Sequence, residues 1–291
     1  MKDLCIILID DQTKSKKPAK YLSVNNQQYF LASEILQKEI SDFGIDAGIN
    51  NYSNLDLVPS NVNANLVVFL STWSYVRNDF LNTCISLNNL FRDAGVFCGP
   101  VYNNSESVLS DQSHSKYLKC YHEYELDFGS NEVSNITGEQ FNYPNVLGCV
   151  FTGRAFNEFR YSPVVSGRHI DVNNRVFLNQ IAQKYSIYYA KCLDKAVALN
   201  KESFSIEELS DYYYRLGYQD GLSLLDKSLK DKHNELWSRF IESPELFDNQ
   251  MPRWLFNSSP DESGDYIESL VLLKCKYQIG FYEGMLGKTL I

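Results

Sequence analysis

The apolar run LVVFL, residues 66–70, ends in Ser71, Thr72 and Trp73, where the tip of a strand could present reactive groups. Serine and tryptophan have no carboxylate, so this tip offers no pair of hard oxygen ligands for a divalent cation. The Trp73 indole could stack on a sugar or a base, or it could fill the mouth of an unused cleft. The run therefore predicts a buried strand that delivers hydroxyl and aromatic groups instead of acids.

Alternating strands and helices surround this tip. The continuous apolar runs at 4–10 and 66–70 are typical of strands covered on both faces. Helical spacing of apolar residues covers 30–43 and 80–91, and a third strand at 95–102 is broken by Gly99 and Pro100. This alternation predicts an α/β layer with parallel strands.

The second half of this layer is interrupted. Residues 103–145 are polar and predict an insertion or a long loop. A strand is predicted at 146–156, a helix at 172–185 and a further strand at 186–190.

Beyond residue 200 the sequence becomes helical, which predicts an α/β domain over 1–200 and a helical region over 201–291. Helices are expected from about 205 to 229, 232 to 241 and 265 to 287. The segments YRLGYQDGL (214–222) and YQIGFYEGM (277–285) repeat one pattern, with glycines four residues apart. We interpret them as a packed helical hairpin; the alternative is a docking surface for a partner or a membrane-bound acceptor.

Charge and cysteine content limit the function classes. The formal net charge is -9, so attraction to nucleic acid or anionic lipid is not expected. No apolar run reaches the roughly 18–20 residues that span a bilayer, and no secretory signal is recognisable. The seven cysteines are scattered, without a C-x-x-C motif, which predicts reduced thiols in a cytoplasmic protein.

The segments around the opening stretch resemble the family-2 glycosyltransferases, which have the GT-A fold. In that family a strand reads F-L-D-x-D and a later D-F-L begins a helix; residues 69–73 and 79–81 of this chain fit the same frame. Cys98, Gly99 and Pro100 are similar to the family's next strand end.

Three further segments carry the resemblance. Residues 167–176 fit the family's G-E-D-x-D-L segment, and residues 212–221 are similar to its Y-R-x-G helix. LIDDQT, residues 8–13, looks like the V-V-D-D-G-S strand end whose aspartate reads the nucleotide base. If LIDDQT is instead the first family strand, the Asp-Asp match is accidental. Asp10 and Asp11 could equally cap the turn after their strand.

The resemblance implies a GT-A-like, nucleotide-diphospho-sugar transferase fold: a mixed sheet flanked by helices. A nucleotide diphosphate sugar would be the donor substrate, bound by Asp10, Asp11, Ser71, Trp73 and Gly99. The family's metal-binding carboxylates fall on Ser71 and Trp73, so neither a cofactor nor a divalent metal is expected.

The family's catalytic Glu-Asp pair falls on Arg168 and His169. The resemblance implies that His169 would be the base, which a histidine can be near neutral pH. The charge of Arg168 would lower the pKa of His169, and its guanidinium could meet the diphosphate in place of a metal. Alternatively, both are polar residues at a loop–helix junction.

Three functions stay open at this point. The chain could be a metal-independent glycosyltransferase of polysaccharide or glycoconjugate synthesis. It could be a catalytically dead homologue, a pseudoenzyme that binds a protein partner or a second copy through its tyrosine-rich C-terminal helices. It could be an unrelated α/β enzyme that matches the family by chance. The sequence has no four-ligand zinc spacing and no GxxxxGK[ST], GxGxxG or G-x-S-x-G motif.

Overall fold

The computed structural model describes residues 2–9, 20–53, 55–72, 74–103, 126–136, 144, 146–162, 175–197, 206–226 and 264–287. The chain forms two compact units, Met1–Glu202 and Ser203–Ile291.

Unit 1 is a mixed α/β structure in which strands and helices alternate. Its strands are β1 (Lys2–Ile9), β2 (Tyr21–Val24), β3 (Gln27–Leu31), β4 (Ala47–Tyr52), β5 (Ala64–Ser71), β6 (Ser74–Val76), β7 (Ala94–Cys98), β8 (Val101–Asn103), β9 (Val133–Ile136), β10 (Val150–Thr152), β11 (Ser186–Ala190) and β12 (Lys195–Val197). Its helices are α1 (Ala32–Phe43), α2 (Phe80–Leu90), α3 (Gly153–Phe159) and α4 (Arg175–Ala182).

Within the described residues, the main sheet has seven strands in the order β4-β1-β5-β10-β7-β11-β9. Strands β1, β4, β5, β7 and β11 run in one direction, and β9 and β10 run against them. The carboxyl ends of the five parallel strands therefore share one edge, where open α/β sheets usually bind ligands. The predicted mixed sheet flanked by helices is confirmed.

Both faces of the sheet are covered by helices. Successive side chains of a strand point to opposite faces, so each strand contributes to both cores. Ile7 and Ile9 of β1 pack in one core with residues of α3 and α4. Ile6 and Leu8 point to the opposite face and pack in a second core with residues of α1 and α2. This two-sided burial explains why residues 4–9 of β1 and 66–70 of β5 are apolar without a break.

A smaller sheet in unit 1 has the strand order β2-β3-β6-β12-β8. Strands β2 and β3 form a hairpin whose two turn residues, Asn25 and Asn26, have φ of 51° and 61°. Asparagine tolerates this left-handed backbone, and a two-residue turn of this kind matches the twist of paired strands. The segment predicted as one broken strand at 95–102 is two strands, β7 and β8, which belong to different sheets.

The amino end of α2 is stabilised by a side chain from α1. Glu39 is buried and accepts hydrogen bonds from the backbone nitrogens of Phe80 at 3.2 Å and Leu81 at 2.8 Å. The carboxylate thus satisfies amide groups that a helix leaves unpaired at its start. Helix α2 begins at Phe80, where the family resemblance placed the helix of its D-F-L motif.

The strand predicted over 146–156 is wrong in extent. Only Val150–Thr152 is strand, and α3 starts directly afterwards. Thr152 caps that helix by accepting a hydrogen bond from Ala155 N at 3.4 Å. A Cβ on Gly153 would lie 1.8 Å from the carbonyl oxygen of Ala64, so only glycine lets the helix start against β5.

In unit 2, α5 (Ile206–Asp226) and α6 (Gly264–Met285) pack through the two repeated glycine motifs. A Cβ on Gly217 would lie 2.0 Å from Tyr277 O, and one on Gly280 would lie 1.8 Å from Tyr214 O. One turn further on, a Cβ on Gly221 would lie 2.0 Å from Phe281 O, and one on Gly284 would lie 2.1 Å from Tyr218 O. The predicted packing of the repeats on each other is confirmed.

The two helices run parallel, so the predicted hairpin orientation is wrong. Contacts join Tyr214 to Gly280 and, four residues later in both helices, Tyr218 to Gly284. Four residues advance a helix by about 6 Å, so antiparallel helices that met at the first contact would be about 12 Å apart at the second. The helix predicted at 232–241 lies outside the described residues. None of the helices described is both long and apolar enough for a membrane span.

Candidate functional site

Hydrogen bonds from two backbone nitrogens hold the carboxyl end of β5 in place. Ser71 is buried, and its backbone nitrogen donates to Ser74 Oγ at 3.1 Å. The backbone nitrogen of Thr72 donates to Ile9 O at 2.9 Å, which ties the ends of β5 and β1 together. This tip presents hydroxyl groups where the resemblance would place metal-binding carboxylates.

Gly99 lets two carboxyl ends approach each other. It follows β7, and a Cβ built on it would lie 2.5 Å from Leu193 O and 2.7 Å from Ala190 O. These oxygens belong to the last residue of β11 and to the segment that follows it. Any larger residue at 99 would push this segment away, so Gly99 sets the position of the residues that follow β11.

A cavity of about 310 Å³ lies beside this junction. It is bounded by the residues after β7 and β11 and by the smaller sheet. Among the described residues, its polar lining consists of Asn25, Gln27, Tyr29, Arg77, Tyr102, Glu132, Tyr189, Lys191, Cys192 and Asp194. Its size is at the lower end of the range for small-molecule sites in proteins. Its position at the carboxyl ends of parallel strands is the usual one for ligands in this class of sheet.

Asp194 binds two other residues of the cavity lining. Its side chain is almost fully buried; Oδ2 accepts a hydrogen bond from the Tyr29 hydroxyl at 2.8 Å, and Oδ1 lies 3.3 Å from Arg77 Nη1. Burial, reinforced by the hydrogen bond to Asp194, raises the pKa of Tyr29, so its hydroxyl keeps its proton and stays a donor. The carboxylate is therefore paired on both oxygens.

Arg77 differs from Asp194 in being half exposed, with 48% of its side chain accessible. Within the described part of the chain its guanidinium makes one hydrogen bond, from Nη1 to Asp194. A guanidinium has five N–H donors. Arg77 is thus anchored by a buried acid and still has donors for a ligand in the cavity.

Tyr189 and Lys191, two further lining residues, are held by contacts with residues 126–129. Tyr189 is buried, its hydroxyl accepts from Leu126 N at 3.2 Å, and its ring centroid lies 5.6 Å from that of Phe128. Lys191 Nζ donates to Gly129 O at 2.5 Å. These contacts hold the segment after β11 against residues 126–132.

Lys195, which follows Asp194, is a buried cation. Its side chain is 1% exposed, its Nζ donates to Gly148 O, and the same atom lies 6.0 Å from the ring centroid of Phe80. Burial lowers the pKa of Lys195, while the neighbouring cysteine thiols act in the opposite direction. Lys195 packs in the core and is not among the residues that line the cavity.

Two of the residues predicted for the site are described, Ser71 and Gly99. Asp10, Asp11, Trp73, Arg168 and His169 lie outside the described residues, so their roles stay predictions.

Sequence reasoning did not identify Arg77, Lys191 or Asp194. The sequence did contain a signal for Lys191 and Asp194. The segment KCLD follows the apolar run SIYYA directly, and residues just after a parallel strand lie at the ligand-binding edge of the sheet. Among the residues that the structure describes, no three His, Cys, Asp or Glu side chains form a group that could hold a metal ion.

No protein-family model and no curated protein sequence matches the chain. Among solved structures, S. aureus TarS in complex with UDP-GlcNAc is 10% identical, with a TM-score of 0.43 over 99% of this chain and 91% of that chain. The mannosyltransferase PcManGT from Pyrobaculum calidifontis, in complex with GDP-Man and Mn2+, is 8% identical, with a TM-score of 0.41 over 99% and 88% of the two chains. Such identities do not transfer residue roles from one chain to another.

Proposed function

We propose that this chain is a glycosyltransferase-like protein of polysaccharide or glycoconjugate synthesis that takes a nucleotide-sugar donor without a divalent metal. The observation that supports a substrate-binding role most directly is the cavity at the carboxyl ends of β7 and β11, with Arg77 and Asp194 in its lining. The family-like segments support it as well. Residues 69–71 end a buried central strand, Phe80 begins a helix, and Gly99 follows the next strand.

In the proposed reaction, side chains stabilise the negative charge of the leaving group and accept the proton of the acceptor hydroxyl. Transfer of a sugar releases a nucleotide diphosphate whose negative charge must be stabilised. At Ser71 the chain has no carboxylate to hold a metal ion, so we assign that stabilisation to guanidinium groups, with Arg168 as the residue matched to the family motif. His169 is the proposed base that removes the proton from the acceptor hydroxyl.

A thermal-melt assay tests the donor class. UDP, GDP and their sugars, each with and without Mn2+, are added to the full chain. At ligand concentrations near one hundred times Kd, binding would raise the Tm on the order of 5 °C. The proposal expects this rise without Mn2+; a rise only with Mn2+ contradicts the metal-free part, and no rise with any nucleotide contradicts the function.

A variant at the predicted base tests catalysis separately. His169→Ala is expected to abolish sugar transfer while the nucleotide-induced rise in Tm stays unchanged. His114→Ala, a histidine in the polar 103–145 segment, is the matched control. Sugar transfer that survives in His169→Ala removes His169 from the mechanism.

A second candidate function is that of a non-catalytic binding subunit. One observation favours it: Leu272, Ile279 and Leu286 are 40%, 49% and 44% exposed along α6 and the residue just after it, at intervals of seven residues, so they follow one side of the helix. Sedimentation of the chain at several concentrations tests self-association through this stripe. Association that is lost in Ile279→Glu but kept in Leu90→Glu, an exposed leucine of unit 1, together with silence in the melt assay, would support this candidate over the first.

A further inference from the structure

The lining of the cavity next to β7 and β11 defines the class of ligand that it can hold. We propose that this cavity binds an uncharged, hydroxyl-rich ring, namely the acceptor glycan, and that the donor diphosphate binds elsewhere. The identification of the ring as the acceptor rests on the proposed function; the binding of a neutral carbohydrate does not.

The charges of the cavity lining balance each other. Among the described lining residues, Arg77 and Lys191 are cations and Asp194 and Glu132 are carboxylates, so two charges of each sign give a formal sum of zero. Asp194 also lies within 3.3 Å of Arg77, which neutralises that guanidinium locally. A diphosphate needs an excess of positive charge, since its own negative charge is concentrated. A neutral ligand meets no such requirement.

The cavity lining mixes hydrogen-bond donors and acceptors. Arg77 and Lys191 supply N–H donors, Glu132 supplies carboxylate oxygens, and the amides of Asn25 and Gln27 supply both. Phosphate oxygens at neutral pH mainly accept hydrogen bonds, so Glu132 and the amide oxygens would have no partner on a diphosphate. Each sugar hydroxyl both donates and accepts, and therefore pairs with every kind of group in this lining.

Three tyrosine side chains contribute to the cavity lining. Tyr102 lies at the end of the smaller sheet, is partly exposed and lines the cavity. Tyr29 and Tyr189 are fully buried in the wall and fixed by hydrogen bonds to Asp194 and Leu126. Apolar ring faces beside a few fixed polar groups are typical of sites that orient a small polar ligand. Tyr102 is the ring that we assign to the C–H face of a sugar.

Binding of neutral sugars to the full chain provides the test. The probes are the methyl glycosides and disaccharides of glucose, galactose, mannose and N-acetylglucosamine, titrated in ligand-observed NMR; inorganic pyrophosphate and glycerol 3-phosphate are the charged comparisons. We expect at least one neutral glycan to bind, and Tyr102→Ala to weaken it by about tenfold or more. Tyr21→Ala is the matched control, because Tyr21 is 57% exposed on β2 and lies outside the cavity lining; it should change the affinity less than about twofold.

A second variant covers the case in which Tyr102→Ala does not fold. Arg77→Gln removes guanidinium donors from the cavity and should weaken the same glycan, whereas Arg92→Gln, at an exposed position after α2, should not. The proposal is overturned if no neutral glycan binds, or if pyrophosphate binds in a manner that depends on Arg77 and Tyr102. Nucleotide binding in the melt assay is measured independently. Glycan binding without nucleotide binding contradicts the proposed function and supports the binding of a neutral carbohydrate in this cavity. Nucleotide binding without glycan binding supports the proposed function and contradicts this inference.

Discussion

The glycine contacts of unit 2 lead to a prediction whose sign runs against helix propensity. Gly280 lies inside α6, where alanine would normally stabilise a helix by about 1 kcal/mol. Its Cβ, however, would lie 1.8 Å from Tyr214 O. Ordinary contact begins at 3.4 Å, so Gly280→Ala requires the two helices to separate by 3.4 minus 1.8, or 1.6 Å.

The size of the effect follows from these opposing terms. Overpacking of a tight contact costs roughly 1–3 kcal/mol. A rigid separation also opens the neighbouring glycine contacts, so we expect the upper end of that range. Subtracting the propensity gain leaves a net loss of about 2 kcal/mol, which corresponds to a roughly 30-fold larger opening constant for the helix pair.

Amide hydrogen exchange of the full chain, read by peptide mass spectrometry, measures this locally. Exchange in peptides from 206–226 and 264–285 should become about 30-fold faster in Gly280→Ala. Ile279→Ala is the control, because Ile279 is the preceding residue and 49% exposed; surface changes usually stay within about 0.5 kcal/mol. Peptides from β5 provide an internal reference.

Protection equal to or greater than that of the wild type in Gly280→Ala would refute the close parallel crossing, since alanine would then express only its better helix propensity. The double variant Gly217→Ala with Gly280→Ala adds a second check. Both substitutions are relieved by one separation of the helices, so the combined loss should be smaller than the sum of the single losses.

Three further predictions concern unit 1. Burial raises the pKa of Glu39 above its unfolded value near 4.3. The stability of the wild type relative to Glu39→Gln, measured by urea denaturation at several pH values, should therefore increase as pH falls through the folded pKa toward about 4.3. A stability difference between the two proteins that does not change with pH would contradict the buried charge. Burial lowers the pKa of Lys195, so between the folded pKa and about 10.4 the unfolded state binds more protons than the folded state. The wild type should therefore gain stability relative to Lys195→Met as pH rises through that interval; a difference that falls with pH would contradict this. Gly99→Ala should displace the segment after β11, weaken glycan binding in the cavity and cost about 1–3 kcal/mol in denaturant unfolding; unchanged binding and stability would show that the segment yields freely.

The sequence predicted the elements that have a strong local signature. Strand β11 coincides with the predicted SIYYA, and β1 and β5 were recognisable because burial on both faces makes them continuously apolar. Helix α1 ends at Phe43 and is followed by Gly44, whose φ of 62° is left-handed. The sequence suggested this stop, because the glycine comes directly after the helical spacing of apolar residues.

Elements without such a signature were missed. Strand β4, AGINNY, is half-exposed at the edge of the main sheet, so it carries polar residues. Strands β6 and β12 have three residues each, which is too short for periodicity to show. Strand β9 lies within the polar segment that was predicted as an insertion, and its pairing with β11 is a long-range contact.

The candidate cavity depends on those missed strands. Arg77 follows β6 and Asp194 precedes β12; they are 117 residues apart and meet because β6 and β12 pair antiparallel. No local sequence pattern predicts that pairing. The sequence could predict the ligand-binding edge of the sheet, because Gly99 and the ends of the apolar runs lie at it.

The parallel direction of α5 and α6 has an electrostatic consequence. Each helix carries the equivalent of about half an elementary positive charge at its amino end and half a negative charge at its carboxyl end. In a parallel pair like ends are adjacent, so the two dipoles reinforce each other instead of cancelling. The sequence places Glu207 and Glu208 in the first turn of one helix and Asp265 and Glu268 near the start of the other, whereas neither last turn contains a basic residue. The paired amino ends thus carry their own counter-charges, and the paired carboxyl ends form a concentrated negative pole with no basic residue in either last turn.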